Sequence, residues 1–451
     1  MRLQRIQLGL VAATAAATSV SIFAAQVLFG LAILIYAIRL ASGATAWRRL
    51  PLDGPLLAFM VWTLLTASFS PDPLASHEAA KKLVLFALFY LAVDTCADEG
   101  ARARVVDTAL LGTIALGGES VLQYLFLGFD TLQHRPTGFL GHYMTSSGLL
   151  AIALVLAVAR LAFAPRWPRP ERRDAWLLLS LGLALGGLHL VERGGGGERL
   201  ARSVFVAGLC ATAALLAVRR SRWPGPSTHL VLAAAAAVIA TWALAVSQTR
   251  NAWLGALFGL AGVLVLKAPR TLWLLPAGLL VLFALRPANL MARLTWSDAS
   301  SVDRYYMWQA GLDMIRDKPV FGQGPGMILR TYPDYRWAEA PNPRQPHLHD
   351  NVLQIAAERG LPALAFWLWM MALLVLGALR EARKARSRRG FEAPAAFGAL
   401  AALIVAGVFE YNFGDSEVLM FTLIVAALPF ADALSRSPGH ARGLTVPAAG
   451  P

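Results

Sequence analysis

HLVLAAAAAVIATWALAVSQTRNAWLGALFGLAGVLVLK, residues 229–267, decides the fold. Two nearly unbroken apolar runs, 229–247 and 252–267, are separated only by Gln248-Thr249-Arg250-Asn251. Each run is close to the ~17–25 residues that a helix needs to cross the hydrocarbon core of a bilayer. The same kind of run recurs on either side, and spans are expected at roughly 6–22, 24–41, 54–69, 81–97, 104–127, 143–163, 175–191, 203–218, 229–247, 252–267, 271–286, 361–380, 393–410 and 416–434. The pair 175–191 and 203–218 is joined by the short, flexible connection Glu192 to Arg199 and could instead be re-entrant, so twelve spans is the alternative to fourteen.

The composition of the whole chain agrees. Of 451 residues, 57% are hydrophobic and 15% charged, against about 45–50% and about 25% in soluble chains. That excludes a soluble enzyme, and collagen-like, disordered and disulfide-scaffold classes go with it, because apolar content is high and there are two cysteines. The fold class expected is an all-α polytopic integral membrane protein with 12–14 transmembrane helices.

The formal net charge of +14 is mostly a topology signal. Basic clusters stand at Arg48-Arg49, Arg166 to Arg173, Arg219-Arg220-Arg222, Lys267 to Arg270 and Arg380 to Arg389, in every second connection. By the positive-inside rule these connections, and both termini, are cytoplasmic. Nucleic acid is not expected as a partner. The first apolar run continues directly into a second, so a cleavable signal peptide is not expected. Cys96 falls on the cytoplasmic side and Cys210 inside a span, so neither is expected in a disulfide.

One outward connection, from about Arg286 to Asp350, is far longer than the rest and rich in Trp and Tyr. Long ordered loops are usually functional, and this one is expected to be a folded, partly helical cap. The expected organisation is thus transmembrane helices over 1–286, a catalytic loop over 287–350, transmembrane helices over 351–434 and a cytoplasmic tail over 435–451.

Inside the cap, Ser300-x-x-Asp303 reads as a capping box opening a helix through about Asp317, with Trp308, Leu312 and Ile315 on the packed face. Arg304 in its first turn is unfavourable against the helix dipole unless an anion shares the site. The other reading pairs it with Asp303 or Asp298 on a solvated face. Phe321-Gly322-Gln323-Gly324-Pro325-Gly326 reads as a tight turn, since no strand–helix context or Lys-Ser/Thr makes it a nucleotide loop.

His347-Leu348-His349-Asp350 leads into an apolar segment. His349 is a candidate general base, with an ordinary interfacial histidine as the competing reading. A metal is not expected at His-x-His, because residues two apart do not share a helix face and no third ligand stands nearby in sequence. Arg250 lies close to hydrocarbon, where an arginine is costly unless it snorkels or finds an anion. Arg135, in His134-Arg135-Pro136-Thr137-Gly138, is on a further outward connection. With the expected topology, Arg135, Arg250, Arg304 and His349 end on one face, as an anionic, membrane-anchored substrate would need.

Three motifs together resemble the bacterial O-antigen ligases and their polymerase relatives: Ser247-Gln248-Thr249-Arg250 before an apolar helix, Arg304-x-x-x-Trp308 leading to Gly322-x-Gly324-x-Gly326, and His349-Asp350 leading to Gly360. Asp350 and Ala363 depart from the residues usual at those positions. Asp350 puts a carboxylate beside the candidate base. The resemblance implies a GT-C-like membrane glycosyltransferase of the bacterial inner membrane, with its active site facing the periplasm. It also implies a glycan on undecaprenyl diphosphate as donor, a sugar hydroxyl of lipid A–core as acceptor, and lipopolysaccharide biosynthesis as the process. Inverting transfer without metal or other cofactor is implied as well, with Arg250 and Arg304 on the diphosphate, Arg135 as helper and His349 as base. An O-antigen polymerase or a protein O-oligosaccharyltransferase shares the motifs. The alternative of another class is a transporter of a lipid-linked glycan, whose inverted repeats and midplane polar residues are not evident.

Overall fold

A computed structural model describes residues 2–164, 226–270, 299–385 and 390–435. The expected spans 175–191, 203–218 and 271–286, the Glu192 to Arg199 connection and Cys210 lie outside these residues. Among the described residues the secondary structure is helical throughout, with no strand: α1 Arg2–Ala17, α2 Ile22–Ala41, α3 Asp53–Ser68, α4 Pro73–Ala80, α5 Ala87–Thr95, α6 Glu99–Phe126, α7 Tyr143–Ala162, α8 Pro226–Ser247, α9 Arg250–Lys267, α10 Ala299–Asp317, α11 Ile328–Tyr335, α12 Asn351–Ala385, α13 Glu392–Ala406 and α14 Ser416–Ser435. Seven of them (α2, α6, α7, α8, α9, α12 and α14) are long and apolar enough to cross a membrane, and the protein is a polytopic membrane protein.

Helix starts follow local chemistry. Ser21 Oγ accepts from Ala24 N at 3.3 Å, Asp72 Oδ1 from Ala75 N at 3.0 Å and Asp98 Oδ1 from Ala101 N at 2.8 Å, each satisfying a donor that a helix N-terminus leaves open. Close packing in the bundle depends on small residues. A Cβ at Gly255 would lie 2.8 Å from Ala402 O, and one at Gly259 2.8 Å from Gly398 O. These glycines, four residues apart, let the backbones of α9 and α13 touch as small-residue helix interfaces in membranes do.

The expected span 81–97 is not one regular helix. Lys81–Phe86 is a 3₁₀ segment between α4 and α5, since an apolar run specifies burial but not which helical hydrogen bond it makes. The expected span 361–380 begins earlier, because α12 enters at Asn351 and is broken at Gly360, with φ 77° and ψ 172°. A Cβ there would come within 1.9 Å of Val320 O.

Chain direction gives the bundle two ends. The starts of α6 and α8 and the end of α7 meet at one, where Asp107 is bonded by Arg160 Nη1 at 2.6 Å and His229 Nδ1 at 2.7 Å. Arg39 is paired with Asp94, and Arg102 with Glu392 at 3.3 Å and Asp432 at 3.1 Å, at that end too. The other end carries the end of α8, the starts of α9, α12 and α14, and the cap formed by α10 and α11. The cap has its own small core of Met307, Ala310, Met314, Ile328, Tyr332, Leu348 and Ala357.

Candidate functional site

His349 lies in the loop that leaves the cap for α12. Its backbone has φ 52°, a left-handed conformation that costs a non-glycine residue about 1–3 kcal/mol and persists only where its surroundings impose it. Those surroundings are visible. Leu348 is fully buried, and its N–H donates to Gln354 Oε1 at 2.7 Å. Asn351 N donates to Gly407 O at 2.7 Å, and Asn351 Nδ2 to Asn412 Oδ1 at 2.8 Å. A Cβ at Gly407 would stand 2.1 Å from Asn351 Nδ2, so that glycine admits the clamp. The clamp fixes the His349 loop against the loop that follows α13.

That second loop supplies Glu410, which sequence reasoning missed. Its Oε2 is 2.7 Å from His349 Nδ1, and its Oε1 is 3.7 Å from His347 Nδ1. Glu410 is buried. Burial raises its carboxyl, but the hydrogen bond from His349 and the electrostatic pull of the surrounding His349, His347 and Arg304 side chains outweigh that, holding it below the ordinary carboxylate range. An ionised carboxylate can only accept, so His349 Nδ1 carries the proton and Nε2 keeps its lone pair. His347 is pushed down to about 4, chiefly by burial and against the pull of Glu410, which keeps it neutral at pH 7.

Asp350, expected beside the base, instead caps α12. Its Oδ1 accepts from Leu353 N at 2.7 Å, and burial raises its carboxyl. The carboxylate on His349 comes from 61 positions further along the chain, because α13 returns to this end of the bundle. The third ligand that the His-x-His pair lacks in sequence is the same Glu410: one ligand atom from each of His347, His349 and Glu410 lies within 4.8 Å of the other two.

Arg250 opens α9, and its Nη2 donates to Ser301 Oγ at 3.1 Å in the first turn of α10, three residues before Arg304 on the same helix. Arg304 in turn acts electrostatically on both His347 and Glu410, and Trp308 lies against Phe409, ring centroids 6.2 Å apart. The structure thus brings Arg250, Arg304 and His349 to one end of the bundle. Arg135 lies in the loop before α7, where its guanidinium sits 4.2 Å over the Tyr143 ring and its Nε donates to Leu132 O at 2.9 Å. A link to the histidines runs through His142, which stacks on Tyr143 and acts electrostatically on His347.

Two expectations for α10 change. The helix already includes Ala299, before the expected cap at Ser300, and Asp303 Oδ2 accepts from Asn342 Nδ2 at 2.7 Å and Gln345 Nε2 at 2.8 Å rather than closing a capping box. The packed face is Met307, Ala310 and Met314, with Ile315 at its margin, whereas Leu312 is exposed. Both faces have helical spacing, and only the cap's tertiary packing chooses between them.

The glycine-rich turn forms as expected and has a structural task. Gly322, Gly324 and Gly326 all have positive φ, and Gln323 N and Gly324 N donate to Ala357 O and Glu358 O, both at 2.8 Å. The turn docks on the break in α12 at Gly360, where Leu361 N donates to Pro319 O at 2.8 Å. Glu358 Oε1 accepts from Gly326 N and from Gln354 Nε2, both at 2.8 Å. One buried chain of bonds therefore runs from the turn to Leu348 beside the base.

Residues 235–368, which include Arg250, Arg304 and His349 but not Glu410, match the family model described as O-antigen ligase. No curated protein matches the chain. The match supports an enzyme of the O-antigen ligase or polymerase type, a family of bacterial inner-membrane, glycosyltransferase-like proteins whose partners are in general lipid-linked glycans and lipid A–core.

Proposed function

We propose that this protein is an O-antigen ligase and transfers a glycan from undecaprenyl diphosphate to a sugar hydroxyl of lipid A–core, on the periplasmic face of the inner membrane and with both termini cytoplasmic. The observation that carries the reading is the 2.7 Å contact between His349 Nδ1 and Glu410, with Arg304 acting on that carboxylate and Arg250 bonded to Ser301, three residues before Arg304.

Glu410 holds the Nδ1–H tautomer and stabilises the imidazolium that forms during the reaction. His349 Nε2 takes the proton of the acceptor hydroxyl as its oxygen attacks the anomeric carbon. The bond from that carbon to the diphosphate oxygen breaks on the opposite face, so the anomeric configuration inverts. Undecaprenyl diphosphate leaves with the bonding pair, and the guanidiniums of Arg250 and Arg304 meet the charge that develops on it, through strong charge-assisted hydrogen bonds. Arg135 approaches the donor from the Tyr143 side. No metal or other cofactor takes part.

The test is transfer by purified full-length protein in detergent, supplied with undecaprenyl-diphosphate-linked glycan and lipid A–core. Glycosylated lipid A–core is the expected product. Product formed only between two donor molecules would make the enzyme a polymerase, transfer only to an added protein acceptor would make it an oligosaccharyltransferase, and no transfer to any acceptor would leave a transporter.

A further inference from the structure

We infer that His347, His349 and Glu410 form a binding site for one divalent transition-metal ion of the zinc class, and that filling it switches the enzyme off. Both imidazoles turn Nδ1 toward the same carboxylate, at 2.7 Å from one oxygen for His349 and 3.7 Å from the other for His347. The rings are 4.2 Å apart between centroids. His347 Nδ1 is buried and makes no hydrogen bond, so a ligand atom aimed into the cluster is left unused by the protein's own contacts.

Two imidazoles and one carboxylate are the donor set of three-ligand zinc sites with an open fourth position. The imidazoles favour zinc and its neighbours over magnesium or calcium, which prefer oxygen. The ligand atoms lie within 4.8 Å of one another. Tetrahedral zinc with bonds of about 2.0–2.2 Å needs them roughly 3.5 Å apart. Side-chain movements of about 1 Å close that gap, and the loops carrying the ligands are already clamped together by Asn351 and Asn412.

The consequence for His349 follows from its tautomer. A metal bound at Nδ1 displaces the proton shared with Glu410, and the neutral imidazole then carries its one proton on Nε2. The lone pair that would receive the acceptor's proton is gone, and the carboxylate that would stabilise the imidazolium is bound to the metal. The inhibition rests on the role proposed for His349, whereas the binding does not.

The test uses chelator-treated full-length protein in detergent, titrated with Zn²⁺ by calorimetry and with Co²⁺ by visible spectroscopy. One ion per chain is expected, with tetrahedral ligand-field bands for cobalt and no binding of Mg²⁺. His347→Gln and Glu410→Gln should each weaken binding by more than the roughly 10–100-fold that loss of an outer-shell partner costs a metal site. A Zn²⁺-dependent rise in Tm of the unmutated protein reads the same site without a variant. In the transfer assay, Zn²⁺ should suppress turnover in proportion to occupancy, reversibly with chelator, and His347→Gln should be insensitive. Absence of stoichiometric binding, or binding unchanged in both variants, would overturn the site. Full occupancy with undiminished transfer would overturn the inhibition. If metal-free protein shows no transfer at all while binding stands, the proposed function fails and takes the inhibition with it, but the metal site survives.

Discussion

Asp107 and Glu410 each receive a histidine Nδ1 at 2.7 Å, one from His229 and the other from His349, at opposite ends of the same bundle. Asp107 is fully buried and also takes Arg160 Nη1 at 2.6 Å, all three side chains standing on regular helices. Glu410 and His349 stand on two loops, His349 with a left-handed backbone, within the electrostatic reach of Arg304 in α10. A histidine–carboxylate pair is therefore not a site by itself. Where the carboxylate is also bound by an arginine between packed helices, the pair closes three helices against one another. Where the carboxylate is shared between two histidines on constrained loops, with Arg304 acting on it, the pair can do chemistry.

Substitutions at the two ends should have different consequences. His349→Ala should lower turnover by about 10²–10⁴-fold, the usual contribution of a general base, while His229→Ala should leave turnover per folded molecule unchanged. Equal losses in the two variants, measured by transfer to lipid A–core, would erase the distinction between the ends. Arg160→Ala removes the guanidinium from Asp107 and leaves His229 on the carboxylate; it should destabilise the protein, read as a lower Tm in detergent with donor affinity intact. Arg250→Ala should act in the opposite way. Donor affinity should fall by a factor that corresponds to about 1.5–3 kcal/mol, the worth of a hydrogen bond to a charged group, with little change in Tm. Arg135→Ala, whose guanidinium rests on Tyr143, should affect affinity less than Arg250→Ala, as titration with the lipid donor will show.

The smallest effect concerns pH. The Asp415 carboxyl beside α14 is pushed from 3.8 up to about 7, chiefly by burial and then by the charge of Glu410. The fold thus favours its protonated form, so its contribution is fully present below the unfolded value and is lost as pH rises through about 7. Asp415→Asn should raise Tm relative to the unmutated protein at pH 8 and not at pH 4. A gain of the same size at both values would show that Asp415 is ionised in the fold throughout.

The helices were legible in the sequence because a bilayer admits few alternatives to a long apolar run. Arg250, Arg304 and His349 stood out because polar residues beside such runs need a reason. Glu410 did not, since Phe409-Glu410-Tyr411 at the end of an apolar run reads as an ordinary interface. Its partner is set by the Asn351 clamp on Gly407 and Asn412, a tertiary contact without a local signature. The break in α12 did have one, in Gly360 followed by Pro362. The 3₁₀ segment at Lys81–Phe86 had none, and the buried face of α10 turned on a choice between Met307 and Trp308 that spacing alone leaves even.

Turnover of His349→Ala at saturating donor, measured as glycan transferred to lipid A–core per folded molecule, decides whether His349 is the base. A fall of about 10²–10⁴-fold with donor affinity preserved is the expected result, and turnover at the rate of the unmutated protein would contradict it.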